Sequence, residues 1–456
     1  MYNHHLPKKC LTPGAMWGYI LVLGLFKIST KFIIFLINPL FSLIGLVFIF
    51  KICSLFISKK EAIFTTIGVG FISSFFTYSV VAYNNIVAIG FFFGGLYYLL
   101  KYYSKDKSIK NLILFSLFAG FATLVRYPIF LFYLPPIIIF NLKKQDKINI
   151  KNHLICLFVF ILFILMLFSI NKHLYGGVFS FDLKEGFSLV EHHDTLLETS
   201  FKEKLIILNN NIHDIFLKSF LFISILFMVS IFILIKNFIR KMKFSNKNKF
   251  YFSLLGIIIL NILFYGTRIH SGYLNGSVSF GPYYRYMLIS FILMVMFSFL
   301  IINQLNFKSK KFFLILFITF FIISQIILIY NASGGIKAYT SSISEFELKR
   351  QKLFEAIPEN NSIIFTKYWD KLIFPEKISA IYSAIPEENQ TYETAKIIKK
   401  LLTKGYPVYF LEEDWAERYG KISSKEFLYE FKENNLSYKE IKYWKWHFYK
   451  INFQKD

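Results

Sequence analysis

Arginine is the residue type whose chemistry and placement stand out in this sequence. Six of the 52 basic residues are arginine, which leaves 46 lysines. Arg126, Arg268 and Arg285 lie where long apolar runs begin or end, and Tyr284 precedes Arg285 directly. A guanidinium can bind phosphate through two parallel hydrogen bonds, which a lysine ammonium cannot do. These arginines therefore either reach for lipid headgroups at a membrane boundary or form parts of an anion site.

Acidic and histidine side chains form a second group of candidates. Asp182 and Asp194 lie in one polar segment, residues 172–215, which also contains His192 and His193. A carboxylate in this segment could act as a general base, and histidine serves as acid, base or metal ligand. No fixed ligand spacing is present, so a solvated loop is the alternative to a metal site. The remaining histidine candidates for a metal or a substrate are His4, His5 and His270.

The elements that must position these residues are apolar segments long enough to cross a membrane. The sequence is 55% hydrophobic and 20% aromatic, and a spanning helix needs about 20 apolar residues. The predicted fold class is an α-helical polytopic membrane protein of about ten transmembrane helices, preceded by an interfacial helix within residues 1–31. Pro128 predicts a tight turn between two spans just after Arg126. The predicted spans are 32–57, 61–82, 86–103, 108–125, 128–141, 153–171, 216–236, 250–265, 284–303 and 311–330.

Lysine placement predicts the orientation of these spans. The lysine-rich connections all fall on one side of the ten spans, which the positive-inside rule makes the cytoplasmic side. Arg126, Arg268, Arg285 and the 172–215 loop then face outward from a multi-pass protein of the cytoplasmic (plasma) membrane. The net charge of +24 is explained by these short loops, so nucleic-acid binding is not expected. The three scattered cysteines indicate neither a disulfide framework nor a metal site.

The tail has a different composition from the membrane part. Of the 28 acidic residues, ten lie in residues 1–330 and 18 in the last 126 residues. We therefore divide the chain into a transmembrane domain, 1–335, and a soluble extracytoplasmic domain, 340–456. β-Rich segments at 362–366 and 407–411, with helical stretches between and around them, predict a small α/β domain. The helical stretches are 344–356, 392–403 and 424–433.

Four short motifs of the membrane part resemble a known family. The order of these motifs is similar to that of the GT-C membrane glycosyltransferases, of the type related to protein O-mannosyltransferases and aminoarabinose transferases. Each motif alone has modest specificity, and together they cover the membrane part. They are Thr12-Pro13-Gly14 with the apolar run after it, Asn38-Pro39, Gly120 to Arg126-Tyr127-Pro128, and Gly281-Pro282-Tyr283-Tyr284-Arg285-Tyr286.

The resemblance implies a particular chemistry. The donor would be a polyprenyl-phosphate-linked sugar, and the acceptor a hydroxyl of a glycan, a lipid or a protein at the outer face of the bilayer. A carboxylate would deprotonate the acceptor, and cations would stabilise the leaving phosphate. Such an enzyme could also use a divalent metal. We expect the donor phosphate to bind at Arg126, Arg268, Arg285 and Tyr284.

One feature departs from the family pattern. Family members carry a catalytic aspartate in an outer loop after the first span, whereas no acidic residue precedes Glu61 here. We favour an N-terminally truncated chain as the explanation. A degenerate, inactive member is one alternative, and replacement of the missing base by Asp182 or Asp194 is another. The competing functions are a lipid-linked glycan transporter or flippase, and a glycan polymerase or ligase.

Overall fold

The structure is a computed structural model, and the described residues fall into two compact units that meet in sequence at Ala338 and Tyr339. The described residues are 19, 21, 22, 24, 33–80, 84–141, 150–175, 201–213, 221–241, 245–267, 282–302, 319–327, 330, 336–366, 378–381, 390–411, 424–443 and 446–454.

The first part of the membrane unit is a series of apolar helices with short connections. Their bounds are α1 Ile33–Ser54, α2 Lys59–Gly70, α3 Ser73–Val80, α4 Asn84–Ser104 and α5 Ile109–Val125. Ser58 begins α2 with a capping box, in which its side chain and that of Glu61 each accept a backbone N–H of the other residue. Ser108 caps α5 by accepting the N–H of Lys110. These polar caps mark where the chain re-enters an apolar run.

The second part of the membrane unit begins with an irregular stretch. Residues Tyr127–Tyr133 form a 3-10 helix that leads into α6, Leu134–Asn141. The following helices are α7 Ile150–Tyr175, α8 Phe201–Ile212, α9 Leu221–Lys241, α10 Asn246–Gly266 and α11 Pro282–Ile302. Residues 319–327 are also helical. The expected interfacial helix within 1–31 lies almost entirely outside the described residues.

Fewer helices than expected are long enough to cross a membrane. Within the described ranges, five helices meet the length and hydropathy of a span, in α1, α4, α7, α10 and α11, and a sixth is possible if α2 and α3 form one broken span. The predicted span 61–82 is bent by 68° between α2 and α3. The predicted span 128–141 is interrupted by its 3-10 segment, because Pro128 lacks an N–H and restricts Tyr127. The number of ten spans is therefore not reproduced in the described part of the chain.

Aromatic and small residues set the packing of the membrane unit. The buried core is rich in phenylalanine and tyrosine, and most of α11 is buried whereas α7 exposes most of its apolar surface. The crossing of α1 and α4 is close at Gly90. A Cβ atom placed on Gly90 would lie 2.9 Å from the backbone carbonyl oxygen of Phe41. Only glycine allows the two backbones to approach to this distance.

The tail unit contains a five-stranded mixed sheet. Its strands are β1 Ile363–Thr366, β2 Ile378–Ile381, β3 Val408–Leu411, β4 Leu436–Tyr443 and β5 Trp446–Phe453, in the order β2-β1-β3-β5-β4. β1 pairs in parallel with both β2 and β3, and β5 pairs antiparallel with β3 and β4. The helices are α12 Ile336–Ala356, α13 Gln390–Thr403 and α14 Ser424–Glu433. The outward orientation of this unit stays a prediction.

The two faces of the tail sheet are both covered by helices. Side chains of α13 and α14, such as Ile398 and Phe431, share one apolar cluster with Phe410. Leu353 of α12 belongs to a different cluster that contains Tyr409. Neighbouring residues of a strand point to opposite faces of the sheet, so Tyr409 and Phe410 belong to different clusters, one on each face. The central strands β1 and β3 are accordingly buried along their whole length.

Candidate functional site

Arg126 lies at the break between α5 and the 3-10 helix. Its own backbone is extended, with φ −158° and ψ 102°, while its N–H still donates to the carbonyl of Ala122 at 2.8 Å. Pro128 stands in the first turn of the 3-10 helix, where a missing N–H is tolerated. The predicted break is therefore present, although a 3-10 helix follows it instead of a tight turn between two spans. Arg126 is the residue at which the helix ends.

The side chain of Arg126 points into the protein and contacts two tyrosine rings. Only 6% of the residue is exposed. Its guanidinium carbon Cζ lies 4.3 Å from the ring centre of Tyr286 and 5.1 Å from that of Tyr265. The two rings are stacked, with centres 5.3 Å apart and planes inclined by 21°. Cation–π contact of this kind offsets part of the cost of removing a guanidinium from water. Arg126 is thus not a side chain that reaches for headgroups.

Arg285 contacts the same tyrosine from the first turn of α11. Its Cζ lies 5.0 Å from the ring centre of Tyr286, and its Nη2 donates a hydrogen bond to the Tyr286 hydroxyl at 3.1 Å. The backbone of Arg285 is fixed as well, because the Asn85 side-chain amide donates to its carbonyl at 2.8 Å. One tyrosine ring therefore has two guanidiniums beside it. We refer to Arg126, Tyr265, Arg285 and Tyr286 as the arginine–tyrosine cluster.

The cluster lies where five helices have their ends on the same side of the membrane unit. The end of α5 (Arg126), the end of α10 (Tyr265) and the start of α11 (Arg285) meet there through the contacts above. Asn85 adds the start of α4, and Asn211 of α8 donates to the carbonyl of Gly266 at 2.7 Å. The sequence separates these ends by up to 200 residues. Folding alone assembles the cluster.

The opposite ends of the same helices carry the lysine-rich connections. Near the start of α10, Lys249 donates from Nζ to the carbonyl of Phe140 at 3.2 Å, close to the end of α6. The side-chain amide of Asn141 donates to the hydroxyl of Tyr103, near the end of α4, at 3.0 Å. The membrane unit therefore has an arginine end and a lysine end. This arrangement agrees with the predicted alternation of the connections.

The electrostatics of the cluster favour an anion. The start of a helix carries partial positive charge, and Arg285 adds a full charge within the first turn of α11. Arg126 adds a second guanidinium on the same ring. In the described part of the chain, no carboxylate forms an ion pair or hydrogen bond with the Arg126 side chain. Its N–H groups can therefore donate to a phosphate without first leaving an acidic partner.

Most of the other predicted site residues lie outside the described residues. These are Asp182, Asp194, Arg268, His4, His5, His192, His193 and His270. Tyr284 lies in the first turn of α11, and only its backbone is described. The described residues contain no group of three His, Cys, Asp or Glu side chains that could hold a metal ion. The predicted general base and the metal ligands thus stay predictions.

Sequence reasoning did not single out Tyr265, Tyr286, Asn85 or Asn211. Tyr286 appeared there only as the residue after Arg285, and Tyr265 only as part of an apolar run. A signal was present, since both tyrosines stand at the very ends of apolar segments, beside Gly266 and Arg285. Aromatic residues at such positions are usually explained by the membrane interface. That general explanation gave no reason to expect a specific contact with a buried arginine.

Comparison with known proteins adds two findings. Residues 10–171 match the family model described as dolichyl-phosphate-mannose-protein mannosyltransferase. The structure is similar to the crystal structure of ArnT from Cupriavidus metallidurans bound to undecaprenyl phosphate, with a TM-score of 0.56 and 10% sequence identity. That similarity covers 96% of this chain and 87% of the ArnT chain. No curated protein sequence matches the chain significantly.

Proposed function

We propose that this chain, which resembles the mannosyltransferase family over residues 10–171 and shares the fold of ArnT, is a membrane glycosyltransferase that uses a polyprenyl-phosphate-linked sugar. The family model and the fold together confirm the resemblance to the GT-C membrane glycosyltransferases. The arginine–tyrosine cluster is the observation that supports this proposal at the level of individual residues. It places two guanidiniums at one end of a membrane unit whose fold is shared with a protein solved with a lipid phosphate.

The proposed reaction places negative charge where the cluster can stabilise it. A hydroxyl oxygen of the acceptor attacks the anomeric carbon of the sugar, and the bond from that carbon to the phosphate oxygen breaks. The electron pair stays on the phosphate, while the hydroxyl proton passes to a general base, for which Asp182 and Asp194 are the candidates. The lipid phosphate begins as a diester with one negative charge and leaves as a monoester with up to two. Guanidiniums beside the departing oxygen lower the barrier to this step.

Burial makes the Arg126 guanidinium effective, and Arg285 beside it is half-buried. Arg126 is almost completely removed from solvent, and Tyr265 and Tyr286 replace much of the water around it. Attraction between opposite charges strengthens as the surrounding medium becomes less polar. A phosphate that enters the cluster therefore gains more than it would from the same two arginines on an exposed surface. We assign donor phosphate binding to Arg126 and Arg285, with Arg268 and Tyr284 as further candidates.

The bilayer supplies the setting for this function. We infer that the arginine end of the membrane unit faces the outer side of the cytoplasmic membrane, because the lysine-rich connections belong to the other end. A polyprenyl chain would remain in the bilayer while its phosphate reaches the interface. The acceptor, whether a glycan, a lipid or a protein, would approach from the aqueous side. A divalent metal would require ligands from outside the cluster.

Substitution of the arginines tests the proposal. Purified full-length protein in nanodiscs is titrated with polyprenyl phosphate, and the dissociation constant is compared for Arg126→Lys, Arg285→Lys and the parent. Lysine keeps the charge but loses the bidentate geometry and most of the ring stacking. We expect each variant to bind about tenfold more weakly or worse. Binding that stays unchanged in both variants would show that the phosphate site lies elsewhere.

A matched control is available in the tail. Arg350 is half-buried, like Arg285, and contacts both a carboxylate, Glu347 at 3.3 Å, and the ring of Phe354 at 5.5 Å. Arg350→Lys makes the same chemical change far from the cluster in sequence and in a different unit. Its dissociation constant for polyprenyl phosphate should equal that of the parent. A loss in this control as well would indicate a general effect on folding.

A lipid-linked glycan transporter is the second candidate function, and the bend between α2 and α3 is the observation that favours it. Broken helices often form the substrate sites of transporters. The residues buried on α3 after the bend are uncharged, with Ser73, Ser74 and Thr77 as the polar members. Transport of a charged lipid headgroup usually involves ionisable residues within the spans. Vesicle assays separate the two functions, since a flippase moves the lipid without changing its headgroup.

A further inference from the structure

We propose that Tyr286 is the positioning residue that holds Arg126 and Arg285 on a single phosphate, so that the cluster prefers a dianionic phosphate monoester over a monoanionic phosphodiester. This inference rests on the proposed function, because it concerns the same phosphate site. It adds a specificity: the site would bind the departing lipid phosphate more tightly than the donor. Tyr286 itself would not need to touch the phosphate.

The geometry gives Tyr286 this role because it is the shared contact of both arginines. The guanidinium carbons of Arg126 and Arg285 lie 4.3 Å and 5.0 Å from its ring centre, so they cannot be further apart than the sum of these distances. The Tyr286 hydroxyl also accepts a hydrogen bond from Arg285 at 3.1 Å. Neighbouring residues of a helix do not normally face each other. The Arg285 side chain must therefore fold along α11 to reach Tyr286, the ring that Arg126 also contacts.

The surroundings of Tyr286 keep this arrangement in place. Tyr265 stacks on the Tyr286 ring from the end of α10 and also contacts Arg126, at 5.1 Å from its own ring centre. Asn85 fixes the backbone of Arg285 from the start of α4. The tyrosine ring is thus anchored by a separate helix, and so is the arginine next to it. A phosphate would meet two guanidiniums whose spacing is already set, which reduces the entropy lost on binding.

The preference for a dianion follows from charge. A phosphate monoester has a second pKa near about 6 and carries close to two negative charges above it. A phosphodiester carries one charge at any pH near neutrality. Two guanidiniums held together match the monoester, whereas a single guanidinium would distinguish the two much less. In the proposed transfer reaction, the same preference favours breaking of the bond between the sugar and the phosphate.

The experiment compares two lipids across a range of pH. Full-length protein in nanodiscs is titrated with polyprenyl phosphate and with its methyl ester, a diester, at pH 5 and pH 8. The parent protein should bind the monoester about tenfold more tightly at pH 8 than at pH 5, with a midpoint near the second phosphate pKa of about 6. Binding of the methyl ester should not change, which also controls for histidines that titrate in this range.

Variants of the tyrosines then isolate the positioning role. Tyr286→Leu removes the ring. It should reduce the increase in affinity for polyprenyl phosphate between pH 5 and pH 8 to about twofold, while the methyl ester still binds. Tyr286→Phe keeps the ring and loses only the hydroxyl contact to Arg285, so most of the gain should remain. Tyr265→Leu removes one ring contact of Arg126 and the ring that stacks on Tyr286, and should give an intermediate gain in affinity. A rescue by phenylalanine distinguishes positioning by the ring from a direct hydroxyl contact with phosphate.

Each outcome decides the proposal. A full pH dependence in Tyr286→Leu overturns it, and so does equal binding of the two lipids by the parent at pH 8. If Tyr286→Leu does not fold, the other two variants decide. The proposal is overturned if Tyr265→Leu keeps the full increase in affinity between pH 5 and pH 8 while Tyr286→Phe loses it completely. The proposed function fails in a different way, namely by unchanged lipid phosphate binding in Arg126→Lys and Arg285→Lys.

Discussion

Replacement of Glu359 by glutamine in the tail gives a prediction whose size can be worked out from the structure. The Glu359 carboxylate accepts hydrogen bonds from Lys450 Nζ and from the Tyr409 hydroxyl, each at 2.6 Å. Burial alone would raise the pKa of Glu359, yet the bonds from Lys450 and Tyr409 outweigh burial and lower this pKa to about 2. Burial and the bond to Glu359 raise the pKa of Tyr409. The carboxylate therefore joins β3 and β5 to the segment before β1.

The magnitude follows from the lowered pKa. A change from the ordinary 4.5 to about 2 corresponds to about 3 kcal/mol at about 1.4 kcal/mol per pKa unit. The Glu359 and Lys450 side chains are 29% and 35% exposed, so solvent screening reduces the expected contribution to about 1–2 kcal/mol. Because the pKa is lowered in the folded state, the stabilisation is complete above pH 4.5 and disappears as the pH falls through about 2. At pH 3 less than half of it should remain.

Tryptophan fluorescence can follow this effect in the full-length protein. Four of the five tryptophans lie in the tail, so urea unfolding monitored in detergent mainly reports on this unit. Glu359→Gln should lower the free energy of unfolding by about 1–2 kcal/mol at pH 7 and by less than half of that at pH 3. Glu355→Gln is the control, since Glu355 is 56% exposed and its contact with Lys352 is 3.8 Å long. Equal unfolding of the parent and Glu359→Gln at pH 7 would refute the reasoning.

Two further predictions concern the membrane unit, and both can be checked by the thermal midpoint of the purified protein. Gly90→Leu should destabilise the unit by about 1–3 kcal/mol, because the new side chain would press on the backbone carbonyl of Phe41. Gly24→Leu is the control and should have little effect, because a Cβ atom there meets nothing within 4 Å. An unchanged midpoint in Gly90→Leu would mean that α1 and α4 do not cross closely at this point. Lys249→Met should cost about 1–3 kcal/mol, because the ammonium no longer binds the carbonyl of Phe140, and a midpoint equal to the parent's would contradict that contact.

Residue patterns predicted the elements of the tail well. The segments 362–366 and 407–411, identified by their β-rich composition, correspond to β1 and β3, and the stretch 424–433 corresponds to α14. The two strands are recognisable as short runs of β-branched and aromatic residues, and α14 by the helical spacing of its apolar residues. The order β2-β1-β3-β5-β4 was not predicted. Strand order depends on contacts between residues far apart in sequence, which periodicity does not contain.

In the membrane unit, the sequence located apolar segments better than their shape. Continuous apolar composition predicted a span over residues 61–82, but the chain bends by 68° after Gly70. Gly68 and Gly70 stand just before this bend, but no proline does. The bend coincides with a tertiary contact, in which the N–H of Ser73 donates to the side-chain carbonyl of Gln325 at 3.1 Å. A residue 252 positions away thus caps the start of α3, and no local pattern could have shown it.

The candidate site was predictable in part. The scarcity of arginine singled out Arg126 and Arg285, and the structure brings both to Tyr286. Their role as a phosphate site stays a proposal. What local sequence lacked was the pairing of Arg126 with Tyr265, because these residues lie at the ends of α5 and α10 and meet only when both helices are packed. The outer loop 172–215 and Arg268 lie outside the described residues, so their part in the site also stays a proposal.

The burial of Arg126 is the strongest argument for a function at this end of the membrane unit. An arginine that only anchors a helix end extends its guanidinium toward water and keeps its hydration, so it pays no desolvation energy. Arg126 instead ends α5 with its guanidinium beside two stacked tyrosine rings and with 6% of the residue exposed. Removal of an ion from water costs several kcal/mol, and a buried contact with a tyrosine ring returns about 2 kcal/mol. In the proposed function, a lipid phosphate beside Arg126 and Arg285 offsets part of this cost.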